Sequence, residues 1–260
     1  MSARLRLRRC LDAERPAGGL FVSIPAPEIV EIAAVAGFDF VLVDLEHTLI
    51  DGAALDHLLA AADRAGLSAL VRVPDARSER ILQCLDAGAA GIVVPRVGGV
   101  ADAEAAVARA RYAPRGRRGV NAGRLGRYGD CDLPDLAARL DRETLVIAMI
   151  EDPDGLAAAG AIARLDGIDG LILGAADYAQ TIGRPWQTRA PAVMAAGTEL
   201  AEECRAAGTH AFAIARDASD LPRLRAEGHR GLVLANDRGL LRRALAETHR
   251  AWRETEPSAP

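Results

Sequence analysis

The segment SALVRVPDARSERILQCLDAGAAGIVVP, residues 68–95, decides the fold. It begins and ends with short, mostly apolar runs, SALVRV (68–73) and AGIVVP (90–95), which are typical of buried strands. The segment between them has the apolar spacing of a helix and ends in Gly88, the residue type expected just past a helix C-terminus. Strand, helix and strand in this order indicate a βαβ unit with two parallel strands.

The same alternation continues in both directions along the chain. Strands are predicted at residues 19–24, 38–45, 68–73, 90–95, 144–150, 167–174, 210–215 and 231–236. Eight such units predict a single-domain α/β fold, a (β/α)8 TIM barrel over residues 1–254, with a frayed tail at 255–260. An open doubly wound sheet fits less well, because it usually has five or six strands and a glycine-rich turn after the first, where this chain has SIPAPE.

The composition is that of a globular protein without a preference for polyanions. Half of the 260 residues are hydrophobic, the formal charge is −4 and aromatic residues make up 3%. These values give no reason to expect nucleic acid as a partner, and no apolar stretch is long enough to cross a membrane. The four cysteines are far apart and form no CxxC pair, which is consistent with a reducing cytoplasm.

The chain contains no lysine, so its 32 Lys+Arg residues are all arginine. A Schiff base between the protein and a carbonyl substrate or pyridoxal phosphate therefore cannot form, and no P-loop lysine exists.

Polar residues follow several of the predicted strands. In TIM barrel enzymes the active site lies at the C-terminal ends of the strands, so these residues are the candidates for chemistry. They are Asp44, Glu46, His47, Arg72, Glu151, Asp152 and Asp177. Their occurrence after four different strands predicts one catalytic rim.

Glu151 and Asp177 follow consecutive strands and are expected to lie close together. Two such carboxylates repel each other unless a cation lies between them, which indicates a hard divalent metal, Mg²⁺ or Mn²⁺. Two protein ligands leave about four octahedral positions for water and a chelating 2-oxo acid. The alternative is that both carboxylates cap the helices that follow.

His47 is the histidine of this rim, and we interpret it as a general base rather than a zinc ligand. Arg72 is permanently charged, so it would hold a carboxylate or stabilise an enolate oxygen. Asp86, at the end of the third helix, is either a surface acid or the group that orients the histidine.

Residues 112–135, YAPRGRRGVNAGRLGRYGDCDLPD, form an unusually long connection that is rich in arginine and glycine. Its arginines are either solvated or receive an acidic substrate or the phosphates of coenzyme A. Strands seven and eight end in IARDASD and LANDRG, without the glycine-rich turns that bind phosphate in barrels, so a sugar phosphate is disfavoured.

With these residues assembled, the sequence resembles the HpcH/HpaI family of metal-dependent, pyruvate-using aldolases. The resemblance covers residues 19–240 and is carried by GFDFVLVDLEH, LVRVP, LDAGAAGIVVPRV, RYAPRGRRG, MIED and GIDGLILGAADYAQTIG. It implies a (β/α)8 barrel in a homo-oligomer, a hexamer or a dimer, whose last helix is exchanged between subunits.

The resemblance also implies the roles of the metal and substrate ligands. Glu151 and Asp177 match the metal ligands, and Arg72 matches the arginine that contacts the 2-oxo acid. The turn that starts at Gly174 matches the substrate carboxylate cradle, with the backbone N–H groups of Ala176 and Asp177 as donors.

His47 and Asp86 match the family's catalytic dyad, while Asp44 and Glu46 are interpreted as supporting groups. The implied reaction is a class II aldol cleavage or addition through the enolate of pyruvate or a related 2-oxo acid, with an aldehyde as the second product or reactant. The missing lysine independently excludes the class I route.

Three departures put the second reactant in doubt: Met149 stands where glutamine is usual, the GAAD turn lacks a proline, and Asn121 replaces a small residue. They are similar to a branch of the family in siderophore synthesis that condenses acetyl-CoA with oxaloacetate to citrate. A third alternative is a non-catalytic barrel with a vestigial metal site.

Overall fold

Eight parallel strands close into a barrel, which confirms the predicted fold. The structure, a computed structural model, describes residues 3–255. The strands are β1 (Ala17–Val22), β2 (Phe40–Asp44), β3 (Ser68–Arg72), β4 (Gly91–Val94), β5 (Leu145–Ile150), β6 (Gly170–Leu173), β7 (His210–Ile214) and β8 (Gly231–Asn236). Each strand pairs with the next in sequence, and β8 pairs with β1. Apart from Thr255, the tail predicted at 255–260 lies outside the described residues.

Helices cover the outside of the barrel and connect its strands. They are α1 (Leu5–Asp12), α2 (Pro27–Val35), α3 (Gly52–Ala65), α4 (Arg80–Ala87), α5 (Val100–Ala110), α6 (Leu133–Glu143), α7 (Pro153–Ala157), α8 (Ala159–Ala163), α9 (Ala175–Thr181), α10 (Pro191–Ala207), α11 (Leu221–Ala226) and α12 (Asp237–Glu254). Local sequence sets their ends: Asp51 accepts a hydrogen bond from the N–H of Ala54 at the start of α3, and Gly66 ends that helix with φ of 75°.

The strands bury both of their faces, because alternate residues point to opposite sides. On β2, Val41 and Val43 pack outward against the helices, whereas Phe40 and Leu42 fill the barrel interior. The interior is tightly packed near the N-terminal ends of the strands. A Cβ added to Gly19 would lie 2.2 Å from the ring of Phe40, so that position accepts only glycine without rearrangement.

Helix α1 closes the N-terminal end of the barrel, a feature that the sequence pattern did not predict. Its Leu7, Cys10 and Leu11 belong to the same buried cluster as the interior residues of the strands. The opposite, C-terminal end of the barrel remains open.

Helix α12 packs against β1 and β8, and its buried residue, Asp237, lies at its beginning. From Leu240 onward its residues are exposed, including the apolar Leu241, Leu245 and Trp252. Within residues 3–255, no helix combines the length and apolar character that crossing a membrane requires.

Candidate active site

Residues along a strand alternate between the barrel interior and its outside, and this alternation continues to the C-terminal mouth of the barrel. On β2, β3 and β5, an inward-facing apolar residue is followed two residues later by Asp44, Arg72 and Glu151, respectively. All three are buried. They line an open cavity of about 730 Å³ at the C-terminal mouth of the barrel. The structure therefore brings these predicted rim residues together.

Arg72 is held from two sides by carboxylates. Its Nε donates to Oδ1 of Asp44 at 2.9 Å, and its Nη1 lies 3.0 Å from Oε2 of Glu46. Asp44 is itself fixed, since Oδ1 also accepts from the backbone N–H groups of Glu46 and His47 at 3.0 and 3.3 Å. The guanidinium carbon of Arg72 lies 4.8 Å from the ring centroid of Phe21. The arginine is therefore preoriented, as a substrate carboxylate or oxyanion requires.

Glu46 forms its ion pair with Arg72 through an oxygen that makes no hydrogen bond. Its Oε2 is buried and lacks any partner with hydrogen-bond geometry among residues 3–255, although Arg72 is close enough for charge attraction. Burial raises the pKa of the Glu46 carboxyl, and the positive charge of Arg72 opposes this effect. Glu46 therefore contacts Arg72 directly.

Glu151 is the most strongly perturbed acid of the rim. Its pKa is raised to about 7, mainly because it is buried. The negative charges of Glu46 and Asp177 add to the rise, while the backbone N–H of Arg96, which donates to Oε2 at 2.6 Å, opposes it. Arg96 directs this N–H from a left-handed conformation with φ of 53°. Such a carboxyl gains from a neighbouring cation, because the cation stabilises its charged form.

The donor set at Glu151 and Asp177 fits a hard divalent cation. Asp177 lies in the first turn of α9, directly after β6, the neighbour of β5 in the barrel. Both groups offer carboxylate oxygens, and their mutual repulsion is the feature that a cation would relieve. Residues 3–255 hold no group of three or more His, Cys, Asp and Glu residues arranged for a metal. Glu151 and Asp177 can therefore supply two ligands to a metal ion, and a chelating substrate would have to supply others.

Gly174 makes room for the Glu151 side chain. A Cβ at this position would lie 2.5 Å from both Cγ and Oε1 of Glu151. Gly174 also precedes α9, whose first turn contains Ala176 and Asp177. Because the first backbone N–H groups of a helix have no intrahelical acceptor, those of Ala176 and Asp177 are available to a substrate carboxylate.

His47 lines the cavity on a short turn after β2 and is largely exposed. Its Nε2 lies 3.9 Å from Oε2 of Glu46, too far for a direct hydrogen bond. The exposed imidazole can exchange protons with water at the mouth of the cavity.

Asp86 does not lie beside His47 within one chain. Helix α4 runs back along the barrel, so its C-terminal end, with Asp86, lies at the N-terminal end of the strands. There Asp86 accepts from Nη2 of Arg118 at 2.8 Å and from Nδ2 of Asn121 at 3.2 Å. The structure therefore separates the two members of the expected dyad and ties Asp86 to the long 112–135 connection.

Several residues at or beside the site were missed from the sequence. Arg96, whose backbone N–H contacts Glu151, comes two residues after β4, so the rule that the active site lies at the C-terminal ends of strands could have found it. Phe21, Trp186, Arg216 and Arg238 line the cavity. Trp186 lies in a connection between α9 and α10 whose path no sequence signal predicts.

Comparisons with known proteins give a consistent result. The sequence model of the HpcH/HpaI aldolase/citrate lyase family matches residues 18–244. A pyruvate aldolase of Rhizobium etli is 37% identical over 73% of this chain and 74% of its own length. A 4-hydroxy-2-oxovalerate aldolase of Rhodococcus jostii is 35% identical over 77% of this chain and 78% of its own length.

Solved structures agree in both fold and sequence. The crystal structure of the citrate synthase SbnG superposes with a TM-score of 0.89 at 35% identity, covering 96% of this chain and 98% of SbnG. An HpcH/HpaI aldolase from Desulfitobacterium hafniense superposes with a TM-score of 0.92 at 26% identity, covering 98% of this chain and 99% of the other.

Proposed function

The chain belongs to the HpcH/HpaI aldolase/citrate lyase family, and from this premise we propose that it is a metal-dependent class II aldolase. It would make or break a carbon–carbon bond through the enolate of pyruvate or a related 2-oxo acid. The observation that carries the proposal is the juxtaposition of Glu151, Asp177 and the preoriented Arg72 in one cavity.

The proposed cofactor is Mg²⁺ or Mn²⁺, held by Glu151 and Asp177. When bound, the ion supplies Lewis acidity that stabilises negative charge on the 2-oxo acid. The raised pKa of Glu151 and the shared negative potential of the two carboxylates support this assignment.

Arg72 would donate to an oxygen of the 2-oxo acid that gains negative charge when the enolate forms. Because Asp44 and Glu46 already fix its guanidinium, little reorganisation is needed at that moment. The N–H groups of Ala176 and Asp177 would hold the substrate carboxylate.

His47 would move the proton, through a water molecule, as a general acid–base group. In the addition direction, carbon 3 of the enolate forms a bond to the carbonyl carbon of an aldehyde, and the carbonyl oxygen takes up one proton. In cleavage the hydroxyl gives its proton, through the water molecule, to His47 and the same carbon–carbon bond breaks. An imidazole that is open to water can accept or donate a proton in either direction.

Asp86 can orient His47 only if a second copy of the chain supplies it, because one chain places the two at opposite ends of the barrel. We therefore propose a homo-oligomer, for which the exposed apolar side chains of α12 give support. All four cysteines are free thiols, which supports the proposed cytoplasmic location.

Exchange of the methyl protons of pyruvate in D₂O tests the proposal without any second reactant. The wild-type protein with Mg²⁺ should exchange these protons, as followed by proton NMR, and chelation should stop the exchange. Glu151→Gln should abolish it, whereas Glu202→Gln, an exposed change on α10, should not. Absence of metal-dependent exchange and of metal-dependent oxalate binding would favour the non-catalytic alternative.

A second candidate is the condensation of acetyl-CoA with oxaloacetate to citrate. The observation that favours it is the similarity to the citrate synthase SbnG over nearly the whole chain. Thiol release from acetyl-CoA and oxaloacetate, with no product from pyruvate and short aldehydes, would replace the aldolase proposal with this one.

A further inference from the structure

The carboxylate of Glu151 is held by a hydrogen bond from the loop that follows β4. The backbone N–H of Arg96 donates to its Oε2 at 2.6 Å. Within residues 3–255, no other N–H or O–H group donates to this carboxylate. Its other oxygen, Oε1, faces Gly174, since a Cβ added there would lie 2.5 Å from it. Oε1 therefore lies on the side of the helical turn that carries Asp177.

Arg96 makes this hydrogen bond from a backbone conformation that its residue type rarely adopts. Its φ is 53°, in the left-handed region. This region is unfavourable for a residue with a Cβ, and it persists only where the surrounding structure enforces it. A strained residue that contacts a proposed metal ligand points to a function for the strain.

Contacts from three sides hold the strained backbone in place. Nη2 of Arg96 donates to the carbonyl oxygen of Pro74, in the loop after β3, at 2.7 Å. The N–H of the buried Val97 donates to the carbonyl oxygen of Met149 on β5 at 3.1 Å. A Cβ added to Gly155 would lie 2.5 Å from the carbonyl oxygen of Val97, so α7 confines the loop as well. The loop after β4 therefore has little freedom to redirect the N–H of its strained residue.

The guanidinium of Arg96 does not account for the strain. The side chain is 64% exposed and does not line the cavity. Its Nε lies 3.7 Å from Oε1 of Glu46, and so exposed an ion pair contributes little. The contact of Arg96 with the site is therefore made by its backbone N–H.

We propose that Arg96 is a positioning residue, whose left-handed backbone orients the Glu151 carboxylate for the metal ion. Its N–H engages Oε2 and leaves Oε1 as the oxygen that is offered to the ion. Hydrogen bonds to a ligating carboxylate orient it in this way and raise metal affinity. The inference rests on the proposed function, because it assigns the orientation of one proposed metal ligand.

Two substitutions that both remove the guanidinium isolate the effect of the backbone. Arg96→Val disfavours the left-handed region, because a β-branched residue rarely adopts it. Arg96→Asn tolerates this region, because asparagine is enriched there. The two variants therefore differ mainly in how well they keep the direction of the N–H at position 96.

Calorimetry measures the Mg²⁺-dependent binding of oxalate, a mimic of the pyruvate enolate. Arg96→Val should weaken this binding by about 10-fold to 100-fold, the usual cost of losing a group that orients a metal ligand. Arg96→Asn should restore binding nearly to that of the wild type. Thermal unfolding without metal should show that both variants are folded. Arg96→Ala replaces the valine variant if that one does not fold, and it should also bind more weakly than Arg96→Asn.

Glu14 provides the matched control for left-handed strain elsewhere. It has φ of 52°, its side chain is 84% exposed, and it follows α1 at the N-terminal end of the barrel. Glu14→Val should be less stable to heat than Glu14→Asn, as at position 96. Both control variants should bind Mg²⁺ and oxalate as the wild type does.

Three results would overturn the inference: unchanged binding in Arg96→Val, equal weakening in Arg96→Val and Arg96→Asn, or equal weakening in Glu14→Val. Equal weakening at position 96 would assign the effect to the guanidinium, and weakening at position 14 would assign it to general destabilisation. A wild-type protein that does not bind oxalate with Mg²⁺ would instead overturn the proposed metal site, and this inference with it.

Discussion

Replacing Gly174 by alanine should disable the site by displacing one carboxylate. The added Cβ would lie 2.5 Å from Cγ and Oε1 of Glu151, whereas ordinary contacts of a Cβ begin at 3.4 Å. The backbone at Gly174 has φ of −78° and ψ of 72°, so alanine introduces no left-handed strain there. The clash with Glu151 is therefore the direct consequence of the change.

The distances give the expected size of the effect. To restore an ordinary contact the carboxylate must move by about 0.9 Å. A displacement of about 1 Å in an active site can lower the rate by about 10²-fold. We expect kcat/KM for the pyruvate reaction to fall by about that factor, and overpacking to lower the free energy of unfolding by about 1–3 kcal/mol.

Two assays separate the local effect from general destabilisation. Calorimetry with Mg²⁺ and oxalate should show that metal-dependent binding weakens by about 10-fold to 100-fold, while thermal unfolding shows a folded protein. The matched control is Gly197→Ala on α10, where the new Cβ would lie 3.8 Å from Cδ2 of Leu173, an ordinary contact. The control should bind as the wild type does and be as stable or more stable, because alanine favours a helix.

The reasoning would be refuted by a Gly174→Ala protein that binds metal and oxalate like the wild type. That result would mean that Glu151 can move by this distance without loss, and hence that its observed position is not needed for the site.

Four further results are expected. Lowering the pH from 8 to 6 should weaken Mg²⁺ binding about 10-fold, because protons compete for the Glu151 carboxylate with its pKa of about 7; calorimetry in two buffers should also detect proton release on binding. His47→Ala should keep metal affinity but slow pyruvate proton exchange by about 10²-fold to 10⁴-fold, and loss of the metal would instead make His47 a ligand. Arg72→Lys should lower kcat/KM by about 10²-fold or more, because an ammonium cannot contact Asp44 and the substrate with the same fork, and unchanged kinetics would remove Arg72 from the mechanism. Burial lowers the pKa of His229 below its ordinary value of 6.5, so the unfolded chain binds a proton more readily than the folded chain does. The free energy of unfolding should therefore fall as the pH drops below 6.5. Urea titrations at pH 5 and 8 should show a smaller fall for His229→Gln than for the wild type.

Much of the fold could be predicted from local sequence patterns. Segments such as 68–95 carry their own strand and helix periodicities, and a parallel sheet follows from strands that are apolar on both faces. The two-residue repeat of side-chain direction in a strand also identifies residues that point into the mouth of the barrel, because Asp44, Arg72 and Glu151 each continue an inward-facing series.

Barrel topology explains why the expected pairing of His47 with Asp86 does not form within one chain. The helix after a barrel strand runs antiparallel to it, so a residue at the end of that helix lies far from a residue at the end of a strand. The family resemblance supplied the pair, while the position of Asp86 at the end of α4 already separates the two within one chain.

The sequence by itself determined the eight βα units, the absence of lysine chemistry and the arrival of Asp44, Arg72 and Glu151 at the rim, because each depends on neighbours within a few positions. Only the tertiary structure decided which of these residues meet. Closure of the barrel brings groups from β3, β5 and β6 around one cavity, and it places Arg216 and the start of α12 across from Arg72. Those distances depend on the twist and closure of the whole sheet, which no single segment of the chain encodes.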